Sequence, residues 1–341
     1  MFSFLLTLAL LLFIQSCKSE GNRPHQLSGV TTKDTIPPVE ISSTIDSAQL
    51  DTALYNKYLS YLAHNKPSSK WPVKTAYPLS DAILPFKRVV TYYGNFYSAG
   101  MGILGELPPD EMLKKLQNEV KKWELADTLI PVQPALEYIA VTAQRNPGKD
   151  GKYRLRMPFS QIDKAFELAD KINAILFLDI QAGHCNLQEE LPVLLPYLKM
   201  PQVHLAIDPE YSMKTGAVPC SQIGSYDAVD INYTSDYLAD IVRTYHVPPK
   251  ILIVHRFTKQ MVTNYKEITT KPEVQIVIDM DGFGFPAKKI DTYNSWIAGE
   301  PVQFTGFKLF YKNDVKSPPH KLMSPGEVLK LNPSPIYIQY Q

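Results

Sequence analysis

Cysteine is scarce in this chain. Only three occur in 341 residues, at positions 17, 185 and 220, too few to build a disulfide scaffold, so a buried apolar core has to hold the fold. The spacing of Cys185 and Cys220 does not decide whether they pair or remain thiols. Net charge is nearly absent: 35 Lys plus Arg balance 34 Asp plus Glu, and there is no basic run, which excludes the field a nucleic-acid binder needs. No His-x-His, His-Glu-x-x-His or zinc-spaced cysteine pair occurs, nor a Gly-x-Ser-x-Gly elbow or Walker loop. Nor is any apolar run long enough to span a bilayer; the longest, Phe2 to Ile14, has the length of a secretory signal core.

What the chain does have is 45% hydrophobic residues, including 20 Tyr and 14 Phe. That supply suits sugar-face stacking and core packing alike. The apolar residues gather into runs of strand length that end in polar residues. Val203 to Ile207 leads to Asp208-Pro-Glu210, Ala174 to Leu178 to Asp179-Ile-Gln181, Lys250 to Val254 to His255-Arg256, and Val274 to Ile278 to Asp279-Met-Asp281. Strands with polar tips at their C-terminal ends are how a (β/α)8 barrel builds an active site. Because side chains alternate along a strand, Asp208 and Glu210 are expected to project the same way if Pro209 stays extended.

Taken in order, the apolar segment is followed by Ile14-Gln-Ser-Cys17, which resembles the lipobox of bacterial lipoproteins, with Cys17 as the lipidated residue. The resemblance implies a signal peptide over 1–16. Residues 17–49, rich in Ser, Thr, Pro, Asp and Gly, read as a flexible linker, and 50–341 as the folded unit, opened by a helix whose apolar face runs Leu50, Leu54, Tyr58, Tyr61, Leu62. From Arg88 strands and helices alternate. Helices are predicted over Pro109–Leu125, over Ser160–Ala174 capped by Ser160 with Asp163, over Leu187–Leu198 and over Ser225–His246. The final strand, Pro335–Gln341, is the eighth. The fold class expected is α/β, a (β/α)8 barrel; the runner-up is a doubly wound open sheet. A barrel ending on a strand lacks its eighth helix, a gap the helix from Leu50 is expected to cover.

The strand-tip acids carry the expected chemistry. Cleaving a glycosidic bond needs one carboxyl as general acid and one ionised carboxylate. Glu210, in an aromatic context, suits the acid, with Asp279 or Asp281 as partner and Asp208 and Asp179 beside them. His255 and Lys308 are buried-strand polar residues that need partners, Lys308 pairing with Asp279 or Asp281. Tyr92, Glu106, Glu137, Gln181, Gln133 and Gln339 are candidates to complete a polar pocket. Gly100-Met-Gly102-Ile-Leu-Gly105 matches a dinucleotide fingerprint by letter, but Pro108-Pro109 stand where its helix must begin; the glycines are read as a loop over the mouth, with Glu106 reaching in. No cofactor is expected. The competing use of Asp208, Glu210, His255, Asp279 and Asp281 is to hold one divalent cation, as in a metal-dependent phosphodiesterase.

Tyr92-Tyr-Gly94, Met101-Gly-Ile-Leu-Gly-Glu106, Leu178-Asp-Ile-Gln181, Ile207-Asp-Pro-Glu210, Val254-His-Arg-Phe-Thr258, Asp281-Gly-Phe-Gly284 and Phe307-Lys-Leu-Phe-Tyr311 together resemble a family of uncharacterised bacterial exported proteins and lipoproteins. The resemblance implies one folded unit and an envelope location, anchored by lipid at the outer membrane or cell surface, and no particular reaction. The functional expectation is a glycoside-hydrolase-like protein acting on extracellular or envelope glycan; the alternatives are the phosphodiesterase and a non-catalytic glycan-binding lipoprotein.

Overall fold

A computed structural model describes residues 50–341; the signal segment, Cys17 and the linker lie outside the described residues. Eight parallel strands form the sheet: β1 (Arg88–Gly94), β2 (Val132–Ala143), β3 (Ile175–Ile180), β4 (Val203–Ile207), β5 (Lys250–Arg256), β6 (Val274–Met280), β7 (Phe304–Leu309) and β8 (Tyr337–Tyr340). Each pairs with the next, and β8 pairs back onto β1, Val89 opposite Tyr337 and Tyr92 opposite Tyr340. The sheet is therefore closed, a (β/α)8 barrel, and the open sheet is excluded. A short strand, Arg154–Arg156, adds antiparallel to the end of β2 beyond a register shift at Ile139/Val141.

Closure sorts the side chains by parity. Val89, Ala135, Phe177, Ala206, Ile251, Ile253, Val277 and Tyr337 fill the lower lumen, whereas Val90, Leu136, Leu176, Leu205, Leu252, Ile276, Phe307 and Ile338 face the surrounding helices. Both faces are buried, so the strands read as continuous apolar runs.

Helix α1 (Thr52–Leu62) is capped by Asp51, whose side chain accepts from Leu54 N. It does not take the place of a missing eighth helix. Tyr55 and Leu62, with Trp71 and Leu84, join the lumen cluster and close the barrel floor, because an open lumen would leave the apolar lower layer in water. The flank of β8 is covered instead by α2 (Pro109–Ala126), where Trp123 Nε1 donates to Tyr340 OH at 3.0 Å. In α2 Met112, Leu113, Leu116 and Trp123 are buried at helical spacing, and Pro109 with Asp110 and Glu111 forms its first turn.

Helix α3 (Phe159–Asp170) starts without the expected serine cap; Pro158 stands at its N-cap, and Asp163 accepts from Tyr197 OH at 2.7 Å. The packing of α3 against α4 (Leu187–Leu198) claims that carboxylate. Helix α5 (Ala228–Tyr245) begins three residues later than the periodicity suggests, at a capping box of Asp227 and Asp230. Two shorter helices, α6 (Pro286–Thr292) and α7 (Pro325–Val328), complete the wall. No described helix is long and apolar enough to cross a membrane. Cys185 is buried and Cys220 exposed, and both are free thiols.

The floor is fixed by a buried ion pair. Arg88 donates to Asp127 at 2.6 Å and to the Pro335 carbonyl at 3.1 Å, and both charged side chains are fully buried. Arg88→Met strands the Asp127 carboxylate in the interior and is expected to cost about 3–5 kcal/mol. Urea unfolding measures it, and an unchanged midpoint would contradict the assignment.

Candidate active site

The C-terminal ends of the strands open into a cavity of about 580 Å³. Of the residues singled out in the sequence, Asp208, Glu210, Asp281, Gln181 and Lys308 line it. Pro209–Tyr211 forms a turn of 3-10 helix instead of continuing β4, with Asp208 accepting from Glu210 N at 3.0 Å. The expected strand parity therefore fails at Pro209, yet the turn still delivers both carboxylates to the cavity. Proline, with its fixed φ and no N–H, suits this exit from a ladder.

Asp179, Asp279, Glu137 and His255 lie beneath the cavity, fully buried in the upper lumen. His255 Nε2 is 2.9 Å from Glu137 Oε1, and Nδ1 is 3.3 Å from Asp279 Oδ2 and 3.4 Å from Asp281 Oδ2. Tyr337 OH donates to Glu137 Oε2, Gln339 Nε2 donates to Tyr337 OH at 3.0 Å, and Tyr93 OH donates to Asp179 Oδ2 at 3.0 Å. Room for Asp279 depends on Gly306: a Cβ there would stand 2.5 Å from Asp279 Oδ1. Lys308 pairs with Asp281 at 2.9 Å and lies 3.9 Å from the centre of the Tyr93 ring.

Four further candidates fall outside the cavity. Tyr92 points outward, where its hydroxyl is 2.9 Å from that of Tyr311 and its ring meets Tyr340 edge-on. Its neighbour Tyr93 takes the inward place, since a shift of one residue exchanges the faces of a strand. Glu106 does not reach in; it sits at the end of a short helix, Ile103–Glu106, tied to Lys312 at 2.9 Å. Gln133 is spent near the floor, donating to the Asn173 carbonyl at 3.0 Å, and Gln339 is buried in the lumen. The glycines of the false fingerprint pack the loop after β1: a Cβ on Gly102 would stand 2.3 Å from the Tyr93 carbonyl, and one on Gly105 2.2 Å from that of Asn95. Gly100 and Met101 then form cavity wall.

Sequence reasoning missed Tyr93, Phe283 and Lys288, and took Tyr211 only as the aromatic context of Glu210; all four line the cavity. Phe283, two residues beyond Asp281, is 56% exposed, and its place in a polar, glycine-flanked tip was the available signal.

Electrostatics separate the acids. Burial, reinforced by Asp281, pushes Glu210 up to about 7. Burial raises Asp179 to about 7 and Asp279 to about 6, and lifts Asp208 well above the carboxylate range. Burial alone would lower His255, but the Asp279 and Glu137 carboxylates outweigh it and hold the imidazole well above its ordinary value. Asp281 outweighs burial likewise at Lys308. Among the described residues, the His and carboxylate ligand atoms that converge within 4.8 Å are those of Glu137, Asp179 and His255, a different set from the one expected to hold a cation.

Fold and site together define a (β/α)8 barrel with an acid-lined cavity at its C-terminal mouth. No family model matches the chain, and no curated protein does, so the family resemblance is supported only in its fold. Among solved structures, Burkholderia cenocepacia dihydropteroate synthase complexed with 7,8-dihydropteroate superposes with a TM-score of 0.36 at 10% identity, over 77% of this chain and 87% of that one. The Plasmodium falciparum HPPK-DHPS gives 0.32 at 9%, over 85% and 52%. A maltogenic α-amylase of Thermotoga neapolitana gives 0.22 at 11%, over 67% and 46%. These superpositions are too loose to carry an argument, and the barrel rests on its strand pairing.

Because Glu210 binds its proton more tightly folded than unfolded, its contribution to stability is present below ~4.3, the unfolded value, and is lost as pH rises through about 7. Glu210→Gln is therefore expected to gain stability relative to wild type as pH rises from about 4.5 to about 7.5. Urea midpoints across that range test it; a constant difference means an ordinary carboxyl.

Proposed function

We propose that this protein is a glycoside-hydrolase-like enzyme acting on an extracellular or envelope glycan, tethered to the membrane by lipid on Cys17. The observation that carries the reading is that two carboxylates on one cavity wall have opposed surroundings. Glu210 is kept protonated near neutral pH by burial and by the charge of Asp281, whereas Asp281 is bound by Lys308 at 2.9 Å. One neutral and one ionised carboxyl are what glycosidic cleavage requires.

Glu210 delivers its proton to the departing glycosidic oxygen, and Asp281 supports the sugar cation or activates water. The choice between Asp279 and Asp281 falls to Asp281, since Asp279 is fully buried under the cavity floor. Gln181 donates to Tyr93 OH at 3.2 Å and accepts from Ala143 N at 3.2 Å, so its amide is a fixed part of the wall. Phe283, exposed on the cavity lining, offers aromatic surface for a pyranose ring.

The test is hydrolysis of polysaccharides and aryl glycosides by the full chain, read as released reducing ends or phenol. Glu210→Gln is expected to lose ~10²- to 10⁴-fold in kcat on natural linkages, yet to keep activity on dinitrophenyl glycosides, whose leaving group needs no proton. Asp281→Asn loses both. Activity falls as pH rises through about 7, where Glu210 loses its proton. Full activity of Glu210→Gln on natural linkages removes the acid assignment. Turnover of phosphodiesters that a chelator abolishes moves the protein to the competing class, and ligand affinity without turnover leaves a binding protein. Cys17→Ser is expected to release the protein from the membrane fraction; retention there excludes the lipid tether.

A further inference from the structure

The upper lumen is overloaded with negative charge. Six carboxylates, those of Glu137, Asp179, Asp208, Glu210, Asp279 and Asp281, share it with two cationic side chains, His255 and Lys308, and Lys308 is engaged by Asp281. Carboxylates withdrawn from water need protons, partners or a metal. Six acids against two cations leave the balance to protons, hydrogen bonds or a metal.

The acids do not share the burden evenly. Glu137, Asp179 and His255 are fully buried, with one ligand atom from each within 4.8 Å of the others. Each is held from behind by its outer atom. Asp279 Oδ2 lies 3.3 Å from His255 Nδ1, Tyr337 OH donates to Glu137 Oε2, and Tyr93 OH donates to Asp179 Oδ2 at 3.0 Å. What remains is His255 Nε2, Glu137 Oε1 at 2.9 Å from it, and the second oxygen of Asp179, Oδ1, which is buried without any hydrogen-bond partner. An outer hydrogen bond that fixes the tautomer and leaves the inner atom as donor is the second-shell pattern of metal ligands.

We propose that Glu137, Asp179 and His255 form a site for one divalent transition-metal ion beneath the cavity floor. The ion takes the place of the proton between His255 Nε2 and Glu137 Oε1, and that proton leaves to solvent as the ion enters. His255 keeps its Nδ1 proton toward Asp279. One imidazole with two carboxylate oxygens suits Zn²⁺ or Mn²⁺, at bonds of ~2.0–2.2 Å, better than Ca²⁺, which takes oxygens alone. The site takes no ligand from the Glu210–Asp281 pair, although His255 Nδ1 lies 3.4 Å from Asp281 Oδ2, and it stands whether or not that pair cleaves glycans.

The test uses the full chain, stripped with a chelator, dialysed, and titrated with Zn²⁺ and Mn²⁺ by calorimetry in buffers of different ionisation enthalpy. One ion per chain is expected, with release of at least one proton. Asp179→Asn, which keeps the side chain's shape, is expected to weaken binding by 10-fold or more. Tyr93→Phe, which touches no metal, is expected to weaken it by ~10-fold through loss of Asp179's support. A crystal soaked in MnCl₂ and read by anomalous scattering locates the ion in the wild-type chain even where a variant fails to fold. A peak among the three residues supports the proposal. Absence of stoichiometric binding, binding that Asp179→Asn leaves unchanged, or a peak on Asp208, Glu210 or Asp281 overturns it.

Discussion

The pairing of β8 with β1 is the constraint on which everything else rests. It removes both sheet edges and creates an interior that eight strands must fill from one face each. The lower half is filled by aliphatic and aromatic side chains, and α1 and the segment after it seal the floor. The upper half holds Glu137, Asp179, Asp208, His255, Asp279 and Lys308. Closure thus gathers, within one lumen, polar groups that lie on six separate stretches of sequence, and burial is what gives them unusual proton affinities.

The eight strands were legible in the sequence because a strand buried on both faces must be apolar along its length and can end only where polarity is wanted. The same property made parity illegible. With apolar residues on both sides, nothing in Tyr92-Tyr93 says which ring looks inward, and the outward one was chosen; Asp279 and Asp281 share a parity, so the sequence could not tell which stops beneath the floor. Lys308 was readable because a cation in an apolar run must be paired, and Asp281 pairs it. Glu106 was misplaced because its helix is a single turn, whose direction only the packing of Gly102 and Gly105 against β1 determines. The lost cap of α3 shows a tertiary partner overriding local capping preference, whereas the late start of α5 follows a local capping box that the hydrophobic period does not mark.

The acids differ in function because they differ in depth. Those at the floor of the cavity are enclosed by tyrosines: Tyr93 on Asp179, Tyr337 on Glu137. Hydroxyls neutralise nothing, but they satisfy one oxygen each and orient the other. The acids on the wall, Glu210 and Asp281, have no such hydroxyl and face the cavity. A barrel that used its deep carboxylates for catalysis would have to admit substrate through its own packed layer. Depth therefore separates residues that hold charge from residues that can meet a ligand.

That separation requires Asp281 to stay put although it lies beyond β6, on a tip containing Gly282 and Gly284. The restraint comes from behind the site. Lys289 of α6, almost wholly buried, donates to the Gly282 carbonyl at 2.9 Å and to the Lys308 carbonyl at 2.8 Å, and pairs with Asp314 at 2.8 Å. Asp314 in turn accepts from Gly284 N and Phe310 N, each at 2.9 Å. One ammonium and one carboxylate thus tie the tips of β6 and β7 together, the two strands that carry Asp281 and its cation. An apolar pair could fill that space, but it would leave two carbonyls and two amides of the tips without partners, and flexible glycines would then set the position of the carboxylate. The buried ion pair gives the site its geometry more than it gives the fold its stability.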